Sequence, residues 1–237
     1  MDWVFDSTIW TSLAALTVME IVLGIDNVVF LSLIAGRLPE PAARRARGVG
    51  LMLALVARLA MLGGIIWLVG LTRPVIELAG QALSWRDLVL LAGGLFLIAK
   101  ATHEIHTSVE GAGEGMGKRA AGSFIAVVVQ IAVIDMVFSV DSVITAVGMV
   151  EHFGVMAAAV VIAMAVMYAA SGPVSDFLKQ HPTTKMLALG FLFLIGVALI
   201  GDGLGFHIPR GYIYFAMAFS GMVEALNIFA ARRRVRR

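Results

Sequence analysis

Two acidic motifs are the parts of this chain whose residue types and spacing are best suited to chemistry. The first reads Glu20-Ile-Val-Leu-Gly-Ile-Asp-Asn27 and the second Asp135-Met-Val-Phe-Ser-Val-Asp-Ser142. Each places an acid, five mainly apolar residues, a second acid and then a small amide or hydroxyl side chain. Each also lies near the middle of an apolar run, where a carboxylate costs roughly 2.5–3.5 kcal/mol on membrane-insertion scales. Four acids placed at that cost are expected to form a functional site.

The polar side chains of both motifs are oxygen donors. Hard divalent cations such as Mn²⁺, Mg²⁺ and Ca²⁺ prefer such ligands, whereas soft metals prefer thiolates, and this chain has no cysteine. Carboxylates held close together also raise one another's proton affinity, which gives a physical route to cation/proton exchange. The predicted metal-binding residues are Glu20, Asp26, Asn27, Asp135, Asp141 and Ser142.

Helix geometry limits how the two acids of one motif can share a site. Positions i and i+6 of an ideal helix are about 120° apart around the axis and about 9 Å apart along it. Glu20 and Asp26 would therefore not share a face unless the helix were locally unwound. Gly24 and Ser139 stand between the paired acids, and both suit a broken or bulged turn that frees backbone carbonyls. The sequence thus predicts a distortion at both positions.

An alternative interpretation is that the acids serve packing alone by pairing with Arg58, near the middle of the second apolar run. Two acid pairs against one central arginine leave surplus negative charge, which favours the metal site. In the seventh run, Glu224 and Asn227 lie on one helical face and either complete the site or make a polar contact near a helix end. The supporting residues considered for the site are Arg58, Lys100, Glu224 and Asn227.

The composition is that of a membrane protein. The 237 residues are 60% hydrophobic and 14% charged, whereas about a quarter of a soluble domain is charged. A spanning helix needs about 20 mostly apolar residues. Seven windows qualify, at about 9–35, 47–71, 86–104, 122–150, 154–178, 186–204 and 211–231. We therefore predict an all-α membrane protein with seven transmembrane helices and no soluble domain between them.

Loop charge predicts the orientation, because basic residues favour the cytoplasmic side. Lysine and arginine follow the first, third and fifth runs, and the arginine-rich tail 232–237 follows the seventh. Directly after an apolar helix, such a tail is more typical of a cytoplasmic anchor than of nucleic-acid binding. Residues 1–6 contain two aspartates and no basic residue, unlike the start of a signal peptide. The first apolar run is therefore expected to be a retained transmembrane helix. This predicts an outside N-terminus and a cytoplasmic C-terminus.

The chain also contains an internal repeat. Glu20 aligned on Asp135 superposes the two acidic motifs, and further on residues 93–98 resemble residues 190–195. Repeat one (about 9–104) thus matches repeat two (about 122–204), with a seventh helix (about 211–231) added, all in one polytopic domain of residues 1–237. Three spans is an odd number, so the second copy must enter the membrane from the opposite side. Inverted repeats of this kind mark secondary transporters, whose sites lie near the membrane midplane.

These motifs resemble those of the TerC family of integral membrane proteins, named for tellurium resistance. The two acidic motifs carry the resemblance together with residues 93–104, 205–212 and 219–227, and it covers essentially the whole chain. It implies a seven-span protein of the bacterial inner membrane. Members of the family are linked to Mn²⁺ export and metal homeostasis, and others to tellurite resistance. The family's acidic positions fall on Glu20, Asp26, Asp135 and Asp141.

The predicted function is efflux of a divalent cation, with Mn²⁺ preferred, by rocking of the inverted repeats. The direction of transport follows from the resemblance alone, and protons are the candidate coupling ion. A second hypothesis is a membrane scaffold or partner subunit in tellurite or metal-stress resistance, without transport of its own. A membrane-embedded aspartyl hydrolase is disfavoured because the Gly-x-Gly-Asp pattern is absent around Asp202. We expect no cofactor, no catalytic residue and no nucleic acid, and a homo-oligomer stays open.

Overall fold

The computed structural model describes residues 7–64, 72, 74–78, 81–110, 124–149, 152–206 and 208–235. This part of the chain holds seven helices: α1 (Ser7–Ala35), α2 (Glu40–Gly63), α3 (Trp85–Val109), α4 (Phe124–Met149), α5 (Phe153–Gln180), α6 (Pro182–Gly203) and α7 (Arg210–Val235). Six of them are long and apolar enough to cross a membrane. In α4, the apolar part described is shorter and covers Phe124–Val140. Each of the seven predicted windows therefore overlaps a helix, and the last part of the second window, residues 65–71, lies outside the described residues.

Helix α2 begins at Glu40, earlier than its predicted window at 47. Pro41 stands in the first turn, where a missing N–H costs nothing, and Arg44 and Arg45 continue the helix with exposed side chains. A hydropathy window finds only the apolar part of a helix, so it missed this charged first part.

A short β-hairpin precedes α3, and the prediction of an all-α chain did not include it. Strands β1 (Pro74–Leu78) and β2 (Gln81–Ser84) pair antiparallel, with an irregular register between Pro74 and Ile76. Pro74 occupies the first position of its strand, where proline is tolerated.

The helices form two compact units. The first unit holds α1, α2, the hairpin, α4 and most of α5, and the second holds α3, α6 and α7. In the first unit, α2 turns a stripe of small buried residues inward, at Ala43, Ala46, Gly50 and Ala54. A Cβ at Gly50 would lie 2.6 Å from the Cγ2 of Ile131 on α4, so the glycine allows the two helices to approach closely.

Large apolar side chains cover much of the outer surface of these helices. Val18 of α1, Ile125 of α4 and Phe215 of α7 are 61%, 71% and 72% exposed. A water-soluble monomer rarely exposes apolar side chains in such numbers, whereas lipid tails solvate them well. The exposed surface therefore agrees with the membrane composition of the sequence.

Candidate functional site

Arg58 of α2 joins the first acids of the two motifs inside the first unit. Its Nη1 donates to Glu20 Oε2 at 2.7 Å, while its Nε and Nη2 donate to Asp135 Oδ2 and Oδ1 at 2.9 and 2.8 Å. The three residues are only 2%, 1% and 4% exposed, respectively. Two carboxylates and one guanidinium thus form a buried ion triad with a formal charge of −1. We call Glu20, Arg58 and Asp135 the Arg58 triad.

The small polar residue that ends each motif lies beside the acid of the other motif. Asn27 Nδ2 donates to Asp135 Oδ1 at 3.2 Å. Ser142 lies beside the Glu20 carboxylate, and its hydroxyl donates to the Ser139 carbonyl at 3.2 Å. The structure therefore brings Glu20, Asn27, Asp135 and Ser142 together around Arg58.

The second acid of each motif stands differently. Asp26 is half-buried on α1, and Asp141 belongs to α4, but its side chain lies outside the described part of the structure. Both helices run without a break through Gly24 and Ser139, so the predicted distortion at these two positions is wrong. In a regular helix, six residues turn the chain by about 120°, which keeps Asp26 off the face that carries Glu20.

Gly24 and Ser139 have other roles that explain the unbroken helices. A Cβ at Gly24 would collide with the Sδ of Met167 on α5, so this glycine serves close helix packing. The Ser139 hydroxyl donates to the Asp135 carbonyl one turn earlier and also lies 3.0 Å from Asp135 Oδ2. Its polar group is satisfied within its own helix, which needs no unwound turn. The motif search had considered Ser139 only as a point of distortion.

Two oxygens of this cluster have no hydrogen-bond partner in the described structure: Glu20 Oε1 and Asn27 Oδ1. Beside Asn27 and Asp135 lies a cavity of about 10 Å³, whose other walls are apolar. A cavity needs roughly 10–15 Å³ to hold one water molecule, so this space suits one water or one small ion. Its apolar walls are Phe30, Leu31, Leu51, Ile131 and Ile134.

The guanidinium of Arg58 is the cation that the two acids hold in this conformation. Within the described residues, no group of three or more acid, histidine or cysteine side chains is placed to bind a metal. The alternative interpretation from the sequence, in which the acids pair with Arg58, thus matches the geometry of Glu20 and Asp135. A divalent cation could use the same carboxylates only after these ion pairs open.

The remaining supporting residues belong to the second unit. Lys100 lies on α3, and Glu224 and Asn227 lie on α7. Glu224 Oε1 accepts hydrogen bonds from the hydroxyls of Thr183 and Thr184, the latter at 3.1 Å, and Asn227 lies within hydrogen-bonding range of the same carboxylate. Sequence reasoning missed both threonines, although their place just after Pro182, at the start of α6, marks a helix N-terminus that favours a carboxylate.

Glu224→Leu is expected to loosen α7 from the start of α6. The substitution removes the acceptor of two hydroxyls and the negative charge beside a helix N-terminus, at an expected cost of about 1 kcal/mol. Glu224→Gln keeps an acceptor oxygen and should cost less. Thermal unfolding of the purified variants in one detergent measures the order. Equal melting temperatures for Glu224→Leu and the unchanged protein would contradict the assigned contact.

The sequence of this chain is similar to those of known membrane proteins. A family model described as "Integral membrane protein TerC family" matches residues 5–237. The UPF0053 inner membrane protein YgdQ of Escherichia coli (strain K12) is 50% identical over 231 residues, which are 98% of this chain and 97% of YgdQ. A UPF0053 protein of Haemophilus influenzae is 48% identical over 229 residues, 96% of either chain. The UPF0053 inner membrane protein YoaE of E. coli K12 is 49% identical over 237 residues, 100% of this chain but 46% of YoaE. No solved structure matches the chain significantly.

Proposed function

Since the chain belongs to the TerC family of integral membrane proteins, we propose that it transports a divalent metal cation across the inner membrane. The proposed cargo is Mn²⁺, and the proposed direction is efflux by alternating access, with protons as the candidate coupling ion. The observation that carries this proposal is the meeting of Glu20 and Asp135, both deeply buried, from two different apolar helices. Buried acids at this depth in a membrane protein typically mark an ion pathway.

The oxygen donors around the triad support a hard cation as the cargo. Glu20 and Asp135 offer carboxylate oxygens, Asn27 an amide oxygen without a partner, and Ser142 a hydroxyl. Such ligands suit Mn²⁺, Mg²⁺ or Ca²⁺ and do not suit soft metals. Asp26 and Asp141 stay proposed ligands from the sequence motif alone, and because α1 is unbroken, Asp26 would act along the cation path and not on the face that carries Glu20. An acidic site of this kind repels an oxyanion, so direct transport of tellurite is a poor fit.

The proposed transport path uses two inverted repeats, and the contacts of the two acidic motifs support a two-fold relation between them. In the first unit, Asn27 and Ser142 each lie beside the acid of the other motif. In the second unit, a Cβ at Gly94 of α3 would meet Ile200 of α6, and a Cβ at Gly196 of α6 would meet Ile98 of α3. This contact relates Gly94 and Gly196, 102 residues apart, whereas residues 93–98 align on residues 190–195 at a separation of 97, so it shows close packing and does not follow the repeat. Each unit also holds corresponding helices from the two sequence repeats, α1 with α4 and α3 with α6.

The alternative of a scaffold without transport has one observation in its favour. Arg58 already pairs with both acids and compensates one of their two negative charges, so the cluster has a counter-charge without any metal. A buried arginine with two carboxylates is also found where only structural specificity is needed. The proposed orientation, with the N-terminus outside and the C-terminus in the cytoplasm, applies to both functions because it follows from loop charge.

Flux into liposomes separates the two functions. The purified protein, reconstituted alone, is expected to carry Mn²⁺ down its gradient at a rate well above that of protein-free liposomes. A series with Mn²⁺, Mg²⁺ and Ca²⁺ ranks the cargo, and an imposed pH gradient tests proton coupling. Metal-dependent thermal shift of the same preparation reports binding independently of flux. A well-folded preparation that shows neither flux nor a thermal shift with any of these cations would favour the scaffold.

A further inference from the structure

All three nitrogens of the Arg58 guanidinium donate hydrogen bonds to the two acids of the triad. Nη1 serves Glu20, while Nε and Nη2 form a two-point contact with Asp135. The guanidinium thus lies between the two carboxylates, where it makes charge-assisted hydrogen bonds to both. A divalent cation bound by the same oxygens would stand against a like charge at very short range, which is strongly unfavourable in a buried site.

We infer that Arg58 is a built-in counter-cation, whose guanidinium takes the place of the transported cation between Glu20 and Asp135 and leaves when that cation binds. This inference rests on the proposed transport function. It assigns Arg58 to the return of the empty carrier, because two bare carboxylates are too costly to keep buried in a membrane protein. A bound divalent cation then compensates both acids, whereas the guanidinium compensates one of them and leaves a formal charge of −1 on the empty carrier.

The cavity beside the triad gives the cation a first place to bind. It borders Asp135, whose carboxylate Arg58 holds, and Asn27, whose Oδ1 has no partner. Asn27 is 7% exposed, so this oxygen lies inside the protein and not in bulk water. A cation that enters this cavity meets the Asn27 Oδ1 first and gains the Asp135 carboxylate only as the guanidinium moves away. Glu20 Oε1, also without a partner, completes the exchange as Arg58 withdraws.

Arg58→Gln tests the inference, because net transport and exchange depend differently on the empty carrier. Net efflux requires the empty carrier to return, whereas exchange of labelled for unlabelled Mn²⁺ uses only the loaded carrier. We expect Arg58→Gln in proteoliposomes to lose at least ninety per cent of net Mn²⁺ flux and to keep Mn²⁺/Mn²⁺ exchange. We also expect it to bind Mn²⁺ at least tenfold more tightly by titration, since the competing cation is gone.

Two further variants make the result decisive. Arg47→Gln removes another buried arginine of α2 that lies outside the triad, and should keep net flux and exchange in their original ratio. Arg58→Lys keeps a positive charge but not the fork of the guanidinium, and should keep measurable net flux. If Arg58→Gln cannot be purified in a folded form, Arg58→Lys decides: loss of net flux and exchange together means that Arg58 is only structural.

The outcomes separate this inference from the transport function itself. Suppose that the wild-type protein carries Mn²⁺ and that Arg58→Gln loses both exchange and net flux. This result would contradict the counter-cation role of Arg58 but not the transport function. Normal net flux in Arg58→Gln would contradict that role as well. Unchanged protein that neither binds nor carries any divalent cation removes the transport function, and the counter-cation with it.

Discussion

Asp135→Asn is expected to abolish metal flux and to destabilise the first unit by about 3–5 kcal/mol, the usual cost of breaking a buried ion pair from one side. The Asp135 side chain accepts from Arg58 twice, from Asn27 and, within 3.0 Å, from Ser139. An asparagine keeps one oxygen and turns an NH₂ group toward donors, so at least one contact of the guanidinium becomes donor against donor. Thermal unfolding and Mn²⁺ flux of the purified variant measure the two effects separately.

Glu20→Gln is a second variant that separates the effect on stability from the effect on transport. Glu20 accepts one short bond from Arg58, so its loss should destabilise the protein less than the loss of Asp135 does. As a proposed ligand, however, it should lose flux just as completely. Asp202→Asn, at the end of α6 and half-buried, is the matched control for removing an acid from an apolar helix. Normal flux in a folded Asp135→Asn or Glu20→Gln protein would contradict the role of the triad in transport.

The sequence predicts the helices of this protein well because the bilayer imposes a length and a composition on each span. Every window of sufficient length overlaps a helix in the described part of the chain, since lipid leaves the backbone no better way to satisfy its hydrogen bonds. The strands Pro74–Leu78 and Gln81–Ser84 were missed because they are too short to give the length signal that identifies a spanning helix. The start of α2 was missed for a similar reason, as its charged turns at Arg44 and Arg45 carry no hydropathy signal.

The sequence predicted which residues form the site better than it predicted which counter-charge the two acids pair with. Acids in apolar runs stand out in any sequence, and Glu20 and Asp135 do lie together, with Arg58 between them. The choice between metal and arginine as their counter-charge depends on which helices touch, and spacing along one helix does not contain that information. Gly24 shows the same limit: a glycine between two acids suits a broken turn, but here its missing side chain makes room for Met167.

Gly94→Val is expected to force apart α3 and α6, the corresponding third helices of the two proposed repeats. A Cβ at Gly94 would lie 2.6 Å from the backbone oxygen of Gly196 and 2.8 Å from the Cγ1 of Ile200. Backbone cannot move aside as a flexible side chain can, so we expect about 3 kcal/mol of destabilisation, the upper end of the usual range for overpacking. Thermal unfolding measures it, and Mn²⁺ flux should fall in parallel.

Gly190→Val on α6 is the matched control, because a Cβ there meets nothing within 4 Å. It should leave the melting temperature nearly unchanged, and a Gly94→Val protein as stable as this control would contradict the close contact. Gly196→Val should cost about as much as Gly94→Val, since its Cβ would lie 2.9 Å from the oxygen of Gly94 and 2.8 Å from Ile98. The two substitutions open one shared contact, so the double variant should lose less than the sum of the single losses. Full additivity would mean that the two glycines pack independently and would contradict the shared contact.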